Sequence, residues 1–206
     1  MGATVAVKDQ GKCSSCWAHA TTAVVEGRLK LDTGNTTSLS VQYIMDCDEE
    51  RVCDGCCGGL TERALTWLAN NSRGIASTRQ YPYISASGTD PSAGKCNRTV
   101  PPVAWLSGFG VIQGDSQSML SASTEYGVLG VAMDSTPLQM YKSGIITNPN
   151  CGDLANHAVA IVGYGADNGV EYWKVRNSYG TQFGEDGYFR IQRLTGVEGA
   201  PCGMSG

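Results

Sequence analysis

The chain has 206 residues, 41% of them hydrophobic and 17% charged, with a formal net charge of −4. That balance suits a globular protein able to bury a substantial core, either as one large domain or as two small lobes, and excludes a disordered chain. No basic run is present to neutralise phosphates, which sets aside a nucleic-acid partner, and no stretch nears the ~18 apolar residues of a membrane span.

In chain order, Ala18, Ala20, Ala23, Val24 and Leu29 predict a helix from about Ser15 that breaks near Gly34. Leu39 to Met45 and Leu60 to Ala69 predict two shorter helices. The stretch from Ser72 to Pro102 is rich in Gly, Pro, Ser and Tyr and is expected to cross the surface. From about Phe109, glycines and β-branched residues dominate. His157 to Gly165 reads as a buried strand containing the longest apolar run, Ala158 to Val162. Tyr172 to Ser178 and Gly187 to Leu194 alternate like half-buried strands, and Asn168-Gly169 is a hairpin signal. The fold class expected is α+β: a mainly helical lobe over residues 1–107, a β-rich lobe over 108–206, and a cleft between them that would hold a site.

The cysteines narrow the function. Nine are spread along the chain, a density that points to an oxidising compartment. Three glycosylation sequons, at Asn35, Asn70 and Asn97, point the same way. An odd count leaves at least one thiol unpaired within the chain, and such a thiol is a candidate reactive group. Cys16 stands where a loop enters the first predicted helix. Unpaired N–H groups and the helix dipole stabilise a thiolate there, and the thiolate is the attacking species. A redox pair, or a zinc site joining Cys13-x-x-Cys16 to Cys53-x-x-Cys56, is the competing reading. The sequons, the scattered remaining cysteines and the Cys57-Gly58-Gly59 run that follows weigh against it.

The segment Gln10-Gly-Lys-Cys-Ser-Ser-Cys-Trp-Ala-His resembles the papain and cathepsin signature Q-G-x-C-G-S-C-W-A-F. Three further stretches resemble that family in its own order: Gly55-Cys-Cys-Gly-Gly, Asn156-His-Ala-Val-Ala-Ile-Val-Gly-Tyr-Gly, and Tyr172-Trp-Lys-Val-Arg-Asn-Ser-Tyr-Gly continuing to Gly184-Glu-Asp-Gly-Tyr-Phe-Arg-Ile. Together they cover nearly the whole chain. The resemblance implies a papain-like two-lobed fold, with a helical lobe, a β-barrel-like lobe and the active site between them. It implies a cysteine endopeptidase with Cys16 as nucleophile, His157 as base and then acid, Asn177 as the group orienting His157, and Gln10 with the Cys16 N–H as oxyanion donors. Only two histidines exist, His19 and His157. His19 stands where the family usually carries an aromatic core residue, so it reads as a buried filler, with local tuning of the thiolate as the alternative.

By the same resemblance, Gly58 and Gly59 lie along the substrate backbone. Leu60, Thr61, Ala132 and Ala158 line a roomy, mostly apolar pocket for Leu, Phe or Val second from the scissile bond. Asn156 and Tyr179 flank the site. Tyr179 and Phe183 replace family tryptophans that shield the histidine–asparagine pair, Asn156 replaces an aspartate, and Ser14 replaces a glycine where a side chain would crowd the cleft. The family pattern implies disulfides Cys13–Cys56, Cys47–Cys96 and Cys151–Cys202, and a fourth between Cys53 and Cys57 is expected. The expected partners are protein or peptide substrates, the enzyme's own propeptide and cystatin-type inhibitors. No cofactor or metal is expected, and the chain is expected to be a monomer, secreted or lysosomal/vacuolar. No occluding-loop insertion is recognisable, which favours an endopeptidase. Neither a signal sequence nor a propeptide is recognisable, Met1 falls inside the family's mature N-terminal segment, and the residue closing the pocket floor falls just past Gly206. A papain-fold binding or allergen-like protein without proteolysis is the alternative function.

Overall fold

A computed structural model of the chain describes residues 5–48, 55–70, 74–89, 95–112, 115–147, 151, 154–194 and 201–204. Helix α1 (Cys16–Thr33) is buried on nearly every side from Trp17 to Gly27. Small residues (Ala18, Ala20, Ala23) make this possible, because neighbours on all faces can approach its backbone closely. The helix ends where Gly34 turns left-handed at φ 73° and returns its N–H to the Lys30 carbonyl.

Helix α2 (Val41–Cys47) is wholly buried, and α3 (Thr61–Asn70) turns Ala64, Leu65, Trp67 and Leu68 inward. Ser40 caps α2. Its Oγ accepts the Tyr43 N–H at 2.9 Å and donates to the Tyr81 carbonyl at 2.6 Å. Both bonds lie in the interior, so Ser40→Ala is expected to lower stability by about 1–2 kcal/mol. Urea unfolding with disulfides intact measures this, and an unchanged midpoint would contradict the role given to the cap.

Helix α4 (Ser116–Tyr126), capped by the Asp115 carboxylate on Gln117 and Ser118 N–H, precedes β1 (Leu129–Met133). Strands β2 (Ile145–Ile146), β3 (His157–Asp167), β4 (Val170–Arg176) and β5 (Tyr188–Gln192) complete a five-stranded sheet in the order β1-β3-β4-β5-β2. All pairings are antiparallel except β2 with β5. The β3–β4 hairpin turns at Asn168 and Gly169, both at positive φ (50° and 79°). That is the twist-matched geometry which the Asn-Gly pair favours. A bulge at Val162 shifts the β3–β4 register.

Two large apolar clusters result among the described residues, with a small third one of Ala23, Val128 and Ala160 where α1 meets β3. One joins α1, α2 and α3 through Trp17, Leu39, Ile44, Met45 and Leu68. The other lies against the sheet through Met133, Ile161, Trp173, Phe189 and Ile191. α1 packs on both α3 and β3, so it forms the partition between them. The segment expected to cross the surface departs from that picture in part. Ile75 and Ala104 form a bridge, and Ile75, Ala76 and Ser85 are buried. Ser85 and the Ile84 N–H are held by the buried Gln42 amide oxygen, each at 3.0 Å.

Cys13–Cys56, Cys47–Cys96 and Cys151–Cys202 are disulfide-bonded, while Cys16 is free. Cys57 is disulfide-bonded as well, and Cys53, the partner expected for it, lies outside the described residues. Because Cys13 and Cys56 are bonded to each other, neither is left to ligate zinc. Asn35, Asn70 and Asn97 are exposed, and the Asn97 side chain accepts from the Thr99 hydroxyl of its own sequon at 2.7 Å. No helix among the described residues is long and apolar enough to cross a membrane.

Candidate active site

Cys16 is the first residue of α1, held at the helix N-terminus by the disulfide three residues before it. Its half-buried thiol faces the Ala158 N–H from β3 and the N–H groups of Trp17 and Cys16 itself. Burial pushes the thiol pKa up, and these three donors offset only part of that rise. Ala158 follows His157, so its bond to the thiol brings the start of β3 against the start of α1.

His157 is buried at the first position of β3, opposite Met133 of β1. Its Nε2 lies 2.8 Å from Asn177 Oδ1, and the same oxygen accepts the Ser178 N–H at 2.8 Å. A carboxamide oxygen only accepts, so Nε2 carries a proton, and Nδ1 is left as the free base. Burial lowers the imidazole pKa, while the bond to Asn177 raises it. Tyr179 stacks on the imidazole with ring centroids 4.9 Å apart, and Phe183 meets Tyr179 edge-on at 5.4 Å. Burial, and then the charge of Cys16, push the Tyr179 phenol up.

Gln10 reaches the site from the segment before α1. Its backbone N–H donates to the Ser178 carbonyl at 2.8 Å, and Asp9 bridges Tyr179. Its side-chain Nε2 donates to the Cys13 carbonyl at 2.9 Å, and its Oε1 accepts from the Ser178 hydroxyl. Ser178 therefore sets which way the Gln10 amide faces. Ser178 lies within a recognisable sequence motif that by itself assigns it no task. Its position between Asn177 and Tyr179 was the available signal.

Ala132 and Ala158 are cross-strand partners, both half-buried. A methyl group placed on Gly130, the next residue along that face, would lie 3.0 Å from Thr61 and 3.2 Å from Val24. Thr61, Gly130, Ala132 and Ala158 thus share one small-residue surface. Leu60 stands at its rim, 57% exposed. Gly58 adopts φ 108° with open space around its Cα, whereas a Cβ on Gly59 would fall 2.6 Å from the Trp17 indole. Both glycines are therefore required by the fold itself. Asn156 is exposed, and its amide oxygen accepts the Ser135 N–H at 3.0 Å. Ser14 is exposed, with its N–H on the Cys56 carbonyl at 3.1 Å. Among the described residues, no group of three or more His, Cys, Asp or Glu could hold a metal ion.

The family profile described as papain family cysteine protease matches residues 1–205. The chain belongs to that family. It is 41% identical over 206 residues to the cysteine proteinase COT44 of Brassica napus, covering 99% of this chain and 61% of that protein. Among solved structures it is similar to the bromelain protease of Ananas comosus in complex with the E64 inhibitor. There the TM-score is 0.87 at 38% identity, over 99% of this chain and 91% of that one. It is also similar to a digestive procathepsin L 3 of Tenebrio molitor larval midgut. In that case the TM-score is 0.85 at 38% identity, over 98% of this chain and 64% of that one. The fold is papain-like and α+β. The chain spans about three fifths of the length of the curated relative named here. Tyr179 covers the His157 ring, and Phe183 backs Tyr179 edge-on.

Proposed function

We propose that this protein is a cysteine endopeptidase. In it Cys16 attacks the peptide carbonyl, His157 takes and returns the proton, Asn177 orients His157, and Gln10 with the Cys16 N–H holds the oxyanion. The observation that carries this reading is the meeting of three segments: the free thiol at the start of α1, the imidazole at the start of β3, and the amide that fixes its tautomer. Burial alone opposes a charge on either Cys16 or His157. Moving one proton from thiol to imidazole creates both charges together, each stabilising the other. The thiolate adds to the scissile carbonyl and forms a C–S bond. Imidazolium then protonates the departing amine as the C–N bond breaks. Water, deprotonated by the same imidazole, releases the acid from the thioester. The second Nε2 hydrogen of Gln10 remains for the oxyanion, because only one is spent on the Cys13 carbonyl.

The small-residue surface of Thr61, Ala132 and Ala158, rimmed by Leu60, supports a preference for Leu, Phe or Val second from the scissile bond. Gly58 and Gly59 leave room for an extended substrate backbone, and Asn156 and Tyr179 bound the site. Residues 1–107 and 108–206 act as two lobes of one catalytic unit, a division supported by the two large apolar clusters. Disulfides and exposed sequons support a secretory route, ending outside the cell or in a lysosome or vacuole. Protein substrates, a propeptide and cystatin-type inhibitors are the partners this reading expects, with the enzyme acting as a monomer.

Titration with an epoxide thiol inhibitor tests the site. One equivalent bound at Cys16, with matching loss of peptidase activity, is expected. Labelling elsewhere, or none, would overturn the assignment. The pH profile of kcat/KM is expected to be bell-shaped, the acid limb being loss of thiolate and the alkaline limb loss of the imidazolium proton. The Asn177 bond raises the His157 pKa, so Asn177→Ala should move the alkaline limb to lower pH. A limb that stays put or moves up would contradict Asn177 as its acceptor.

A further inference from the structure

His19 takes no part in the chemistry above, although it lies one helical turn beyond Cys16. Its ring is buried, edge-on to Tyr83 with centroids 5.2 Å apart. Its Nδ1 is 3.0 Å from the Ser15 carbonyl oxygen. A carbonyl only accepts, so Nδ1 bears the proton. The neighbouring hydroxyls agree. Tyr83 Oη donates to the Gln10 carbonyl at 2.9 Å and so accepts from Ser15 Oγ at 2.8 Å. That turns a Ser15 lone pair, rather than its hydrogen, toward His19 Nδ1 at 3.4 Å.

Burial, with the positive charges of Lys8, Arg176 and His157 nearby, holds the His19 imidazole down at about 3. The ring is therefore neutral, and Nε2 is a bare acceptor. It is buried with no hydrogen-bond partner among the described residues. Asn177 Nδ2 is a donor in the same condition. His19 and Asn177 line one chamber, together with Lys8, Ala20, Arg176 and Ser178, which offers about 10 Å³ to the centre of a water molecule. That is room for one, between groups of opposite hydrogen-bonding sense.

We infer that a single internal water joins the two, donating to His19 Nε2 and accepting from Asn177 Nδ2, which makes His19 a positioning residue for the catalytic histidine. The inference rests on the assignment of Asn177 as the group that orients His157. The bridge holds the Asn177 amide against a flip that would set Nδ2 against the protonated Nε2 of His157. Through Ser15 and Tyr83, the other face of the His19 ring reaches the Gln10 backbone. One buried ring thus couples the segment that supplies the oxyanion donor to the amide that orients the base.

His19→Phe keeps the ring volume and removes the acceptor, while His19→Gln restores an acceptor oxygen. His19→Phe is expected to lower kcat about tenfold, on the scale of lost supporting hydrogen bonds around a reactive group. KM should change little and the alkaline limb should shift downward. His19→Gln should recover most of both effects. Equal kcat and an unmoved limb in His19→Phe, or no recovery in His19→Gln, would overturn the inference. Stoichiometric epoxide labelling of Cys16 in both variants shows that the site itself is intact; its failure in the unaltered protein would instead strike the assignment of Cys16. Should His19→Phe fail to fold, the unaltered protein still decides. Long-range ¹H–¹⁵N correlations should show His19 neutral with its proton on Nδ1, and a high-resolution crystal structure should show a water bonded to both Nε2 and Nδ2. A proton on Nε2, or a chamber that holds no water, overturns it.

Discussion

Cys16→Ala is expected to abolish peptidase turnover, with kcat falling by roughly five to six orders of magnitude, while the fold survives. The side chain removed is half-buried, and its loss leaves the Cys13–Cys56 bridge and the α1 partition in place. Stability should therefore change little, and a fluorogenic peptide assay reads the chemistry alone. His157→Ala should be about as damaging, because thiolate and imidazolium form as one pair. The double variant should be no worse than either single one. Asn177→Ala should cost roughly one to two orders of magnitude less, since the imidazole keeps its place at the start of β3 but its tautomer is no longer imposed. Strictly additive losses in the double variant would mean that the two residues act independently, and turnover by Cys16→Ala at the normal rate would end the mechanism.

Parts of this arrangement were legible in the residue order for physical reasons that act locally. Small side chains from Ala18 to Ala23 with a glycine at position 34 specify a helix that can be buried on all sides and then stopped. Asn168-Gly169 specifies a hairpin because both residues tolerate the positive φ they adopt. Helix α4 was not legible, since Ser116 to Tyr126 is half small polar residues, and Asp115 in a Gly-Asp-Ser run reads equally well as a loop. Strand β1 was missed for the opposite reason: Leu-Gly-Val-Ala-Met has no polar alternation, and its half-buried positions face the small-residue surface rather than water. At the site, Cys16, His157, Asn177 and Gln10 stand in recognisable runs. The supports behind them do not, because each joins residues far apart in sequence. The Ser178 hydroxyl reaches Gln10 across 168 positions, and Arg176 reaches Glu26 across 150. No pattern within a single run of sequence encodes such a pairing.

Glu26→Ala is expected to lower stability by about 3–5 kcal/mol. Glu26 is 2% exposed in the middle of α1 and carries two cations: Lys8 Nζ at 2.6 Å on Oε1 and Arg176 Nη1 at 3.1 Å on Oε2. Oε1 also accepts the Leu39 N–H at 2.8 Å. Truncation leaves two buried positive charges facing each other and a backbone donor without its acceptor. The pH dependence of the loss has a definite sign. Burial already depresses the Lys8 pKa from 10.5, and Glu26 is the main influence raising it. Without Glu26 the folded state resists protonated Lys8 more strongly, so the deficit should be full near neutrality and shrink as pH rises through the depressed pKa of folded Lys8, below 10.5, where the amine sheds its proton. Urea unfolding at two pH values measures both effects, and a deficit independent of pH would contradict this account. The position of the cluster gives the loss a catalytic consequence. Lys8 lies two residues before Gln10, Arg176 immediately precedes Asn177, and Glu26 shares α1 with Cys16. One carboxylate therefore fastens together the three segments that carry Cys16, Gln10 and Asn177. In Glu26→Ala the epoxide should still find Cys16, but more slowly, under conditions where the protein remains folded. Labelling at the unaltered rate would show that the cluster supports the fold without setting the register of the site.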